Sequence, residues 1–392
     1  MYISSFDHAI GVFNNMTHKE RVMAILSHKE ADKVPLDFGA AQSCRISMGI
    51  YRKLIKHFGI QEEVRCYNKP TQIALASDAF MEKLECDFRA PFPIQKNLPS
   101  EEWEDTDGFF LRDAWGTVMR MPKKGGYYYD MVSAPLAGNI DNEEAEYIFP
   151  PLPDIVSEAA EQAEAYQKAG YPVIIPDQYG NGFLQTGPKI FGYEDWMMML
   201  ALNDKRAEQF LENLLERKMH YWDSVVAVFG GNIDIVCELD DLGTQTGPFI
   251  NPVMLREKIK PYYRKLFDYI HKITKAKVYM HSCGSVSKVI PDLIEAGVDI
   301  LNPVQISAAD MDPAFLKREF GKDIVFWGGG IDTQKILPQG KPSEIRDHVK
   351  RNIEIFSKDG GFVFSAVHNV QSDVPPENFL AMWEAFREFR NY

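Results

Sequence analysis

Cysteine is scarce in this sequence, with five residues in 392, an odd number scattered along the chain. No disulfide framework is predicted from so few residues, and the composition favours the reducing cytoplasm. Long apolar runs are also missing, since none reaches the roughly 18–20 residues that a membrane helix needs. Residues 1–24 hold no uninterrupted apolar h-region, so no signal peptide is expected.

Basic residues are outnumbered, with 43 lysines and arginines against 56 aspartates and glutamates and a net charge of −13. This excess of negative charge repels phosphate backbones and anionic lipid surfaces, so neither nucleic acid nor a membrane is expected as a partner. No G-x-G-x-x-G segment opens a helix, which leaves a dinucleotide site without support. Hydrophobic residues at 45% and charged residues at 25% are typical of a soluble globular enzyme.

Short apolar segments alternate with helical patterns through the second half of the chain. Such alternation predicts parallel strands that are joined by helical crossovers. Eight strand candidates begin at Val34, near Asp87, and at Val173, Ile233, Lys277, Val298, Ile324 and Phe362. Eight is the strand number of a (β/α)8 TIM barrel, which is the predicted α/β fold, and an open doubly wound sheet is the alternative.

We predict one barrel domain over residues 1–392, with two additions. Residues 1–33 are predicted to form an N-terminal helical extension, in which a capping box opens the helix. Residues 87–153 differ in composition from the rest of the chain. They contain tryptophans, glycines, a run of three tyrosines and a segment at Val118–Met121 in which apolar and polar residues alternate. This pattern predicts a β-rich insertion that contains a hairpin.

The segment Lys277–Gly284 is typical of a strand that ends in a glycine turn. Successive strand residues point to opposite faces, so Tyr279, His281 and Cys283 share one side. An imidazole and a thiolate two residues apart provide half of a tetrahedral zinc site. A buried thiol beside a hydrogen-bonded histidine is the alternative interpretation of the same tripeptide.

The third ligand has to come from elsewhere, because a catalytic zinc takes three protein ligands and leaves one position open. His368 is the best candidate, since it leaves the last predicted strand near the barrel axis. Glu238, Gln305 and Cys44 stay open as further candidates. Cys237 alternates with Glu238 and is therefore predicted to face the surrounding helices.

Polar side chains cluster where the predicted strands end, which in a barrel is the face that carries the active site. They are Asp37, Arg45, Asp177, Glu238, Asp240, Asp241, His281, Cys283, Asn302, Gln305, Asp332 and His368. Solvation alone does not explain why polar residues occur at the end of each strand. The alternative interpretation is that these residues cap the helices that follow. We apply the cap interpretation to Asp241, Asp310 and Asp373.

Several segments follow a pattern known from one superfamily. They are Pro35–Gly39, Leu239–Gln245, His281–Gly284, Gly297–Gln305, Gly329–Asp332, His368–Gln371 and Val374–Asn378. Together they resemble the uroporphyrinogen decarboxylase superfamily, and the resemblance covers nearly the whole chain from Thr17 onward. It implies a (β/α)8 barrel, in agreement with the alternation of strands and helices.

That superfamily contains two chemistries. The decarboxylase binds a porphyrinogen with many carboxylates, and its pattern has an arginine-rich Met-Arg-Gln-Ala-Gly-Arg-Tyr segment after the first strand. The corresponding residues 38–46 contain a single arginine, Arg45. Because an octacarboxylate needs several cations, the chain resembles more closely the other branch, the cobalamin-dependent methyltransferases, which includes components of O-demethylases.

The resemblance to this branch implies zinc and a corrinoid. The branch's zinc enzymes use His-x-Cys, matched by His281 and Cys283, and a further ligand, commonly cysteine, after the last strand, where this chain offers His368. No Asp-x-His-x-x-Gly segment of a corrinoid-binding domain is present, so the corrinoid is expected on a separate partner protein. The implied reaction moves a methyl group, in either direction, between cobalt and a small methylated substrate, for which a methoxylated aromatic is favoured.

The remaining strand-end residues are assigned roles on this basis. Glu238 and Asp240 are expected to act as general acid or to orient the substrate, and Gln305 is a further catalytic candidate. The predicted substrate-binding residues are Asp37, Arg45, Asp177, Asn302 and Asp332. Porphyrinogen decarboxylation and a non-catalytic ligand-binding barrel are the alternative functions.

Overall fold

The computed structural model describes residues 16–140, 142 and 146–392. Residues 1–15 of the predicted N-terminal extension, and residues 141 and 143–145 of the predicted insertion, lie outside the described residues. Within the described ranges, no helix combines the length and the apolar character needed to cross a membrane.

Most of the barrel wall is a parallel sheet of six strands, in the spatial order Phe362–Val363, Val325–Trp327, Ile300–Asn302, Lys277–His281, Ile235–Leu239 and Ile174–Pro176. At one edge Leu36 pairs in parallel with Phe364. At the other edge Arg89 pairs in parallel with Val173. The Asp87 amide donates to the Leu36 carbonyl at 2.8 Å, which joins these two segments. The wall therefore closes as eight strands, which confirms the predicted barrel and excludes an open doubly wound sheet.

The two faces of the wall are buried against different partners. Ile235 and Tyr279 belong to a cluster inside the barrel, whereas Val236 packs in the larger core with the helices. Cys237 also belongs to the interior cluster. The prediction that Cys237 faces the helices is therefore wrong, and by alternation the neighbouring Glu238 side chain points toward the helix layer.

Helices cover the outside of the barrel, except for the first, whose Val22, Ile25 and Leu26 pack with the interior cluster. Their bounds are His18–Leu26, Met48–Phe58, Asp78–Leu84, Ser157–Lys168, Phe183–Phe191, Tyr193–Leu202, Lys205–Phe229, Pro252–Met254, Lys260–Ile273, Ile290–Ala296, Pro313–Phe320, Ile336–Gln339, Pro342–Phe356 and Pro376–Phe389, with a 3-10 turn at Gln42–Cys44 and a π-helical turn at Leu255–Ile259. Thr17 caps the first helix, and its own amide donates to the Glu20 carboxylate at 2.8 Å, as the capping box predicts. The helix Phe183–Phe191 is not predicted from the sequence, because Pro188 interrupts the helical pattern.

The insertion contains an antiparallel sheet of four strands, Glu101–Glu104, Gly108–Arg112, Val118–Pro122 and Asp130–Ser133. The last two strands form the predicted hairpin. A separate two-stranded sheet consists of Cys66–Asn68 and Ile73–Ala74. The loop between the second and third strands of the insertion carries Asp113 and Trp115 to the barrel rim, where they line a cleft with Asp177 and Leu239.

Candidate metal centre

Two strand ends at the barrel mouth bring three metal-binding side chains together. His281 ends the Lys277–His281 strand, Cys283 follows two residues later, and His368 lies beyond the last barrel strand. Their ligand atoms all lie within 4.8 Å of one another, and Cys283 Sγ is 3.4 Å from His281 Nε2. Nitrogen and sulfur ligands at ordinary zinc distances are about 3.4–3.6 Å apart in a tetrahedron, so this set fits zinc after small side-chain movements.

Asn302 fixes the orientation of the His281 ring. Its side chain is buried, and its amide nitrogen donates to the Trp327 carbonyl at 2.9 Å. Its Oδ1 lies 2.8 Å from His281 Nδ1 and accepts from the Ser43 hydroxyl at 2.6 Å. His281 Nδ1 therefore carries the proton, and Nε2 presents its lone pair toward Cys283. These contacts favour a positioning role for Asn302 over the predicted substrate contact.

The His368 imidazole is neutral, and neither of its nitrogens has a hydrogen-bond partner among the residues that the structure describes. Burial lowers the pKa of His368 to about 4, and the nearby His281 ring acts in the same direction. The centroids of the two rings are 5.5 Å apart, and within the described part of the chain His368 makes no hydrogen bond. A half-buried imidazole with free nitrogens is suited to metal coordination, because a bound cation satisfies it.

Backbone packing and two side chains hold the turn that follows Cys283. Gly284 has a φ of +89°, and a Cβ at this residue would lie 2.3 Å from the Gly243 carbonyl carbon. Asp241 Oδ1 accepts from the Cys283 amide at 2.9 Å. Gln305 Oε1 accepts from the Gly284 amide at 2.7 Å. Gln305, a predicted catalytic residue, therefore has the contacts of a residue that positions the thiol.

The charge of the Cys283 thiol depends on whether a metal is bound. Burial raises the pKa of this thiol, and the neighbouring Asp241 carboxylate raises it further. The metal-free thiol is therefore protonated at neutral pH. A coordinated thiol is deprotonated, because the bound cation outweighs both effects, so zinc binding is expected to release a proton.

Asp240 and Asp241 are adjacent in the chain, and the structure places Asp241 rather than Asp240 at the site. Asp241 Oδ1 lies 3.7 Å from His281 Nε2, and the Asp241 side chain is 48% exposed. Asp240 is buried and accepts from two amides in the first turn of the helix Phe183–Phe191 and from the Tyr263 hydroxyl. Asp240 is therefore the helix cap and Asp241 the residue at the site, which reverses the predicted assignment.

Lys218 joins two of the predicted site carboxylates. Its Nζ lies 2.5 Å from Asp177 Oδ2 and 2.8 Å from Glu238 Oε2, and all three side chains are buried. Trp222 Nε1 donates to Glu238 Oε1 at 2.7 Å. Because the helix Lys205–Phe229 engages both oxygens of Glu238, these contacts do not support the predicted general-acid role. Lys218 is not among the site residues predicted from the sequence, although its three-to-four-residue spacing from buried apolar residues of that helix indicates burial.

Three other predicted substrate residues support backbone near the strand ends. Asp37 accepts from three backbone amides two to four residues further along the chain, and Asp332 does the same at the start of Ile336–Gln339. The Arg45 guanidinium donates to a backbone carbonyl and lies 3.7 Å from the centroid of the Tyr67 ring. All three side chains are buried. These contacts account for the two carboxylates without a substrate, whereas Arg45 Nε has no hydrogen-bond partner among the described residues.

A cavity of about 180 Å³ is lined by two of the three candidate ligands, His281 and His368. Cys237, Tyr279, Asp177, Glu238 and Asp241 are among the residues that line it, and the Asp177 and Glu238 carboxylates are bonded to Lys218. Among the described residues that line it, none is a lysine or an arginine. The volume is below the roughly 300–1,000 Å³ of typical ligand pockets, so this cavity suits a small group of neutral or positive charge.

Replacing Asn302 by alanine is expected to weaken zinc binding about 10–100-fold, because His281 loses the acceptor that fixes its tautomer. The measurement is a competition titration with a chromophoric chelator. Asn378→Ala is the matched control, since it removes another buried amide, one that donates to the Leu337 and Gly340 carbonyls. Equal zinc affinity in both variants would contradict the role of Asn302.

Comparisons with known proteins agree with this fold. The sequence pattern of the family described as Uroporphyrinogen decarboxylase (URO-D) matches residues 184–389, which is more than half of the chain. A search of curated proteins finds no significant match. Among solved structures, a methyltransferase from Methanosarcina mazei has 18% identity and a TM-score of 0.64, over 95% of this chain and 99% of that chain. Dispersin B has 11% identity and a TM-score of 0.35, over 61% of this chain and 78% of that chain.

The M. mazei structure is similar over nearly the full length of both chains, and at this identity the similarity concerns the fold. The matched URO-D region begins inside the helix Phe183–Phe191 and contains His281, Cys283 and His368. It ends at the last residue of the helix Pro376–Phe389. The chain therefore belongs to the uroporphyrinogen decarboxylase (URO-D) family.

Proposed function

We propose that this protein is a zinc-dependent methyltransferase. It moves a methyl group between a small methylated substrate, favoured as a methoxylated aromatic, and the cobalt of a separate corrinoid protein. The observation that carries the proposal is the convergence of His281, Cys283 and His368, with ligand atoms within 4.8 Å of one another. Its place of action is the cytoplasm, where thiols such as that of Cys283 stay reduced.

Two imidazoles and one thiolate form a donor set that zinc prefers, and three protein ligands are the number found in catalytic rather than structural zinc sites. When bound, zinc supplies a Lewis acid that polarises the heteroatom carrying the methyl group. Asn302 keeps the His281 Nε2 lone pair directed at the site. Asp241 and Gln305 hold the turn that presents the Cys283 thiol.

In the favoured direction, the bond between methyl carbon and oxygen breaks, the methyl group passes to cobalt and the phenol oxygen takes up a proton. Asp241 is the nearest carboxylate to the ligand set, at 3.7 Å from His281 Nε2, and it is exposed to the cavity. It is therefore the group suited to direct a proton to the departing oxygen. Glu238 is held by Lys218 and Trp222 and is less free to do so.

Decarboxylation of a porphyrinogen is less well supported. A substrate with many carboxylates needs several cations, and among the described residues that line the cavity none is a lysine or an arginine. Arg45, the arginine of the segment after the first strand, is buried and bonded to a backbone carbonyl. A cavity of about 180 Å³ also suits a group far smaller than a tetrapyrrole.

The experiment supplies the zinc-loaded protein with free cob(I)alamin and 2-methoxyphenol and follows the absorbance change to methylcob(III)alamin. We expect protein-dependent conversion and a matching amount of catechol, and no conversion above background with Cys283→Ala. A parallel assay offers uroporphyrinogen and measures released carbon dioxide. Carbon dioxide release without methyl transfer from any ether, amine or thiol donor would contradict the proposal.

A further inference from the structure

The cavity at the metal centre adjoins a larger cleft. A second cavity, of about 340 Å³, shares Gln42, Asp177 and Leu239 with it. A third, of about 440 Å³, shares the Tyr67, Phe92 and Trp115 rings with the second. We call the second and third cavities the distal cleft. It lies between the barrel rim and the loop of the insertion that carries Asp113 and Trp115, so a ligand at the metal centre has space to extend in this direction.

Amide side chains give the distal cleft its polar character. The Asn97 and Asn181 amides line it, and in the part of the chain that the structure describes neither makes a side-chain hydrogen bond. The Gln178 amide nitrogen makes a long contact of 3.4 Å to the Tyr67 hydroxyl. Each amide offers donors and an acceptor, which matches the mixed hydrogen bonding of hydroxyl groups.

Aromatic rings give the cleft apolar surface beside these amides. Tyr67 and Phe92 are half-buried, and their ring centroids are 5.2 Å apart. The second face of Tyr67 is covered by the Arg45 guanidinium, which holds the ring in place. Trp115 is fixed by contacts with Tyr179 and other rings. Rigid rings beside amides suit a ligand that carries both C–H surface and hydroxyl groups.

The charges in the distal cleft are already paired. Lys69 forms an ion pair with Glu102, and Lys189 Nζ lies 3.4 Å from Asp113 Oδ2. Asp177 lines both the distal cleft and the cavity at the metal centre, which we call the metal-side cavity. Its carboxylate is bonded to buried Lys218. A charged ligand group would therefore find no free counter-ion among these residues, whereas an uncharged one avoids the cost of burying a charge.

We propose that the distal cleft binds an uncharged polyhydroxylated group, and that the substrate is a methoxylated aromatic that carries such a group, as in an aryl glycoside. This inference rests on the proposed function in one respect, which is that the methoxyl group of the ligand lies at the metal centre. The metal-side cavity is too small for more than part of such a molecule, whereas both distal cavities have the volume of ordinary ligand pockets.

The experiment compares two probes with the same methyl ether, 4-methoxyphenol and 4-methoxyphenyl β-D-glucopyranoside, by calorimetric titration of the zinc-loaded protein. We expect the glucoside to bind at least about tenfold more tightly, the effect of one or two net hydrogen bonds. The variant Asn97→Ala/Asn181→Ala is expected to bring the two affinities within about twofold, with binding of the phenol unchanged. Asn213→Ala, at a half-buried residue of the helix Lys205–Phe229 outside the distal cleft, is the control and should keep the full preference.

Binding of the glucoside no tighter than the phenol, binding of neither probe, or a full preference in the double variant would overturn the inference. Methyl transfer from 4-methoxyphenol is measured on the same preparations, so that the two proposals fail separately. Transfer without a glucoside preference removes the distal site alone. A glucoside preference that the double variant abolishes, without any transfer, supports the distal site and removes the methyltransferase.

Discussion

Replacing Cys283 by alanine is expected to abolish stoichiometric zinc binding and to lower the rate of methyl transfer by more than about a hundredfold. This loss exceeds the roughly 10–100-fold that is typical when a residue that only contacts a metal ligand is replaced. The thiolate is the only charged donor among the three ligand residues, so its removal leaves two neutral imidazoles. The measurements are zinc per chain after dialysis and the initial rate with cob(I)alamin and 2-methoxyphenol. His368→Ala is expected to lose zinc as well.

Cys237→Ala is the matched control for this loss. Cys237 is a second thiol that lines the same cavity, at 7% exposure, but it lies outside the ligand set. Its removal should leave about one zinc per chain. Retention of stoichiometric zinc by Cys283→Ala, or equal loss in both cysteine variants, would remove Cys283 from the site.

Replacing Lys218 by methionine is expected to lower the free energy of unfolding by about 3–5 kcal/mol, because Asp177 and Glu238 then remain buried without their cation. Lys218 is fully buried, so water cannot take the place of its ammonium group. The measurement is chemical denaturation followed by circular dichroism. Lys96→Met, which breaks an exposed ion pair with Asp154, is the control and should cost less than about 1 kcal/mol.

The effect of Lys218→Met is also expected to depend on pH. Burial and the neighbouring Glu238 carboxylate raise the pKa of Asp177 to about 7, against the opposing effect of Lys218. A raised pKa in the folded chain means that this group's contribution to stability is present below about pH 4 and is lost as the pH rises through 7. Without the lysine, protonation of the carboxylates relieves the buried charge, so the loss of stability should be larger at pH 8 than at pH 5. A loss that is the same at both pH values would contradict this assignment.

The barrel could be predicted from the sequence, because its evidence is local and repeated. Each strand is a short apolar segment before a helix, and each carries polar residues at its end. Closure depends on pairings such as Leu36 with Phe364, across more than 300 residues, but eight such segments leave few other arrangements. The residues of the candidate metal centre could also be brought together from the sequence, since His281 and Cys283 lie two residues apart at the end of one strand and His368 leaves another at the same end. That these residues bind a metal stays a prediction.

The orientation of single side chains could not be predicted in the same way. Both faces of a barrel strand are buried, so alternation does not reveal which face is the interior, and the prediction placed Cys237 on the wrong one. The buried lysine that engages Glu238 comes from a helix 20 residues earlier in the chain. Likewise, Asp240 and Asp241 could not be distinguished, because the helix that Asp240 caps was not predicted.

Zinc K-edge X-ray absorption of the purified protein tests the central claim most directly, because it counts the sulfur and nitrogen ligands of the bound ion. We expect one sulfur at about 2.3 Å, from Cys283, and nitrogen or oxygen ligands at about 2.0–2.1 Å that show imidazole scattering from two histidines. Two sulfur ligands, or none, would contradict a site built from His281, Cys283 and His368.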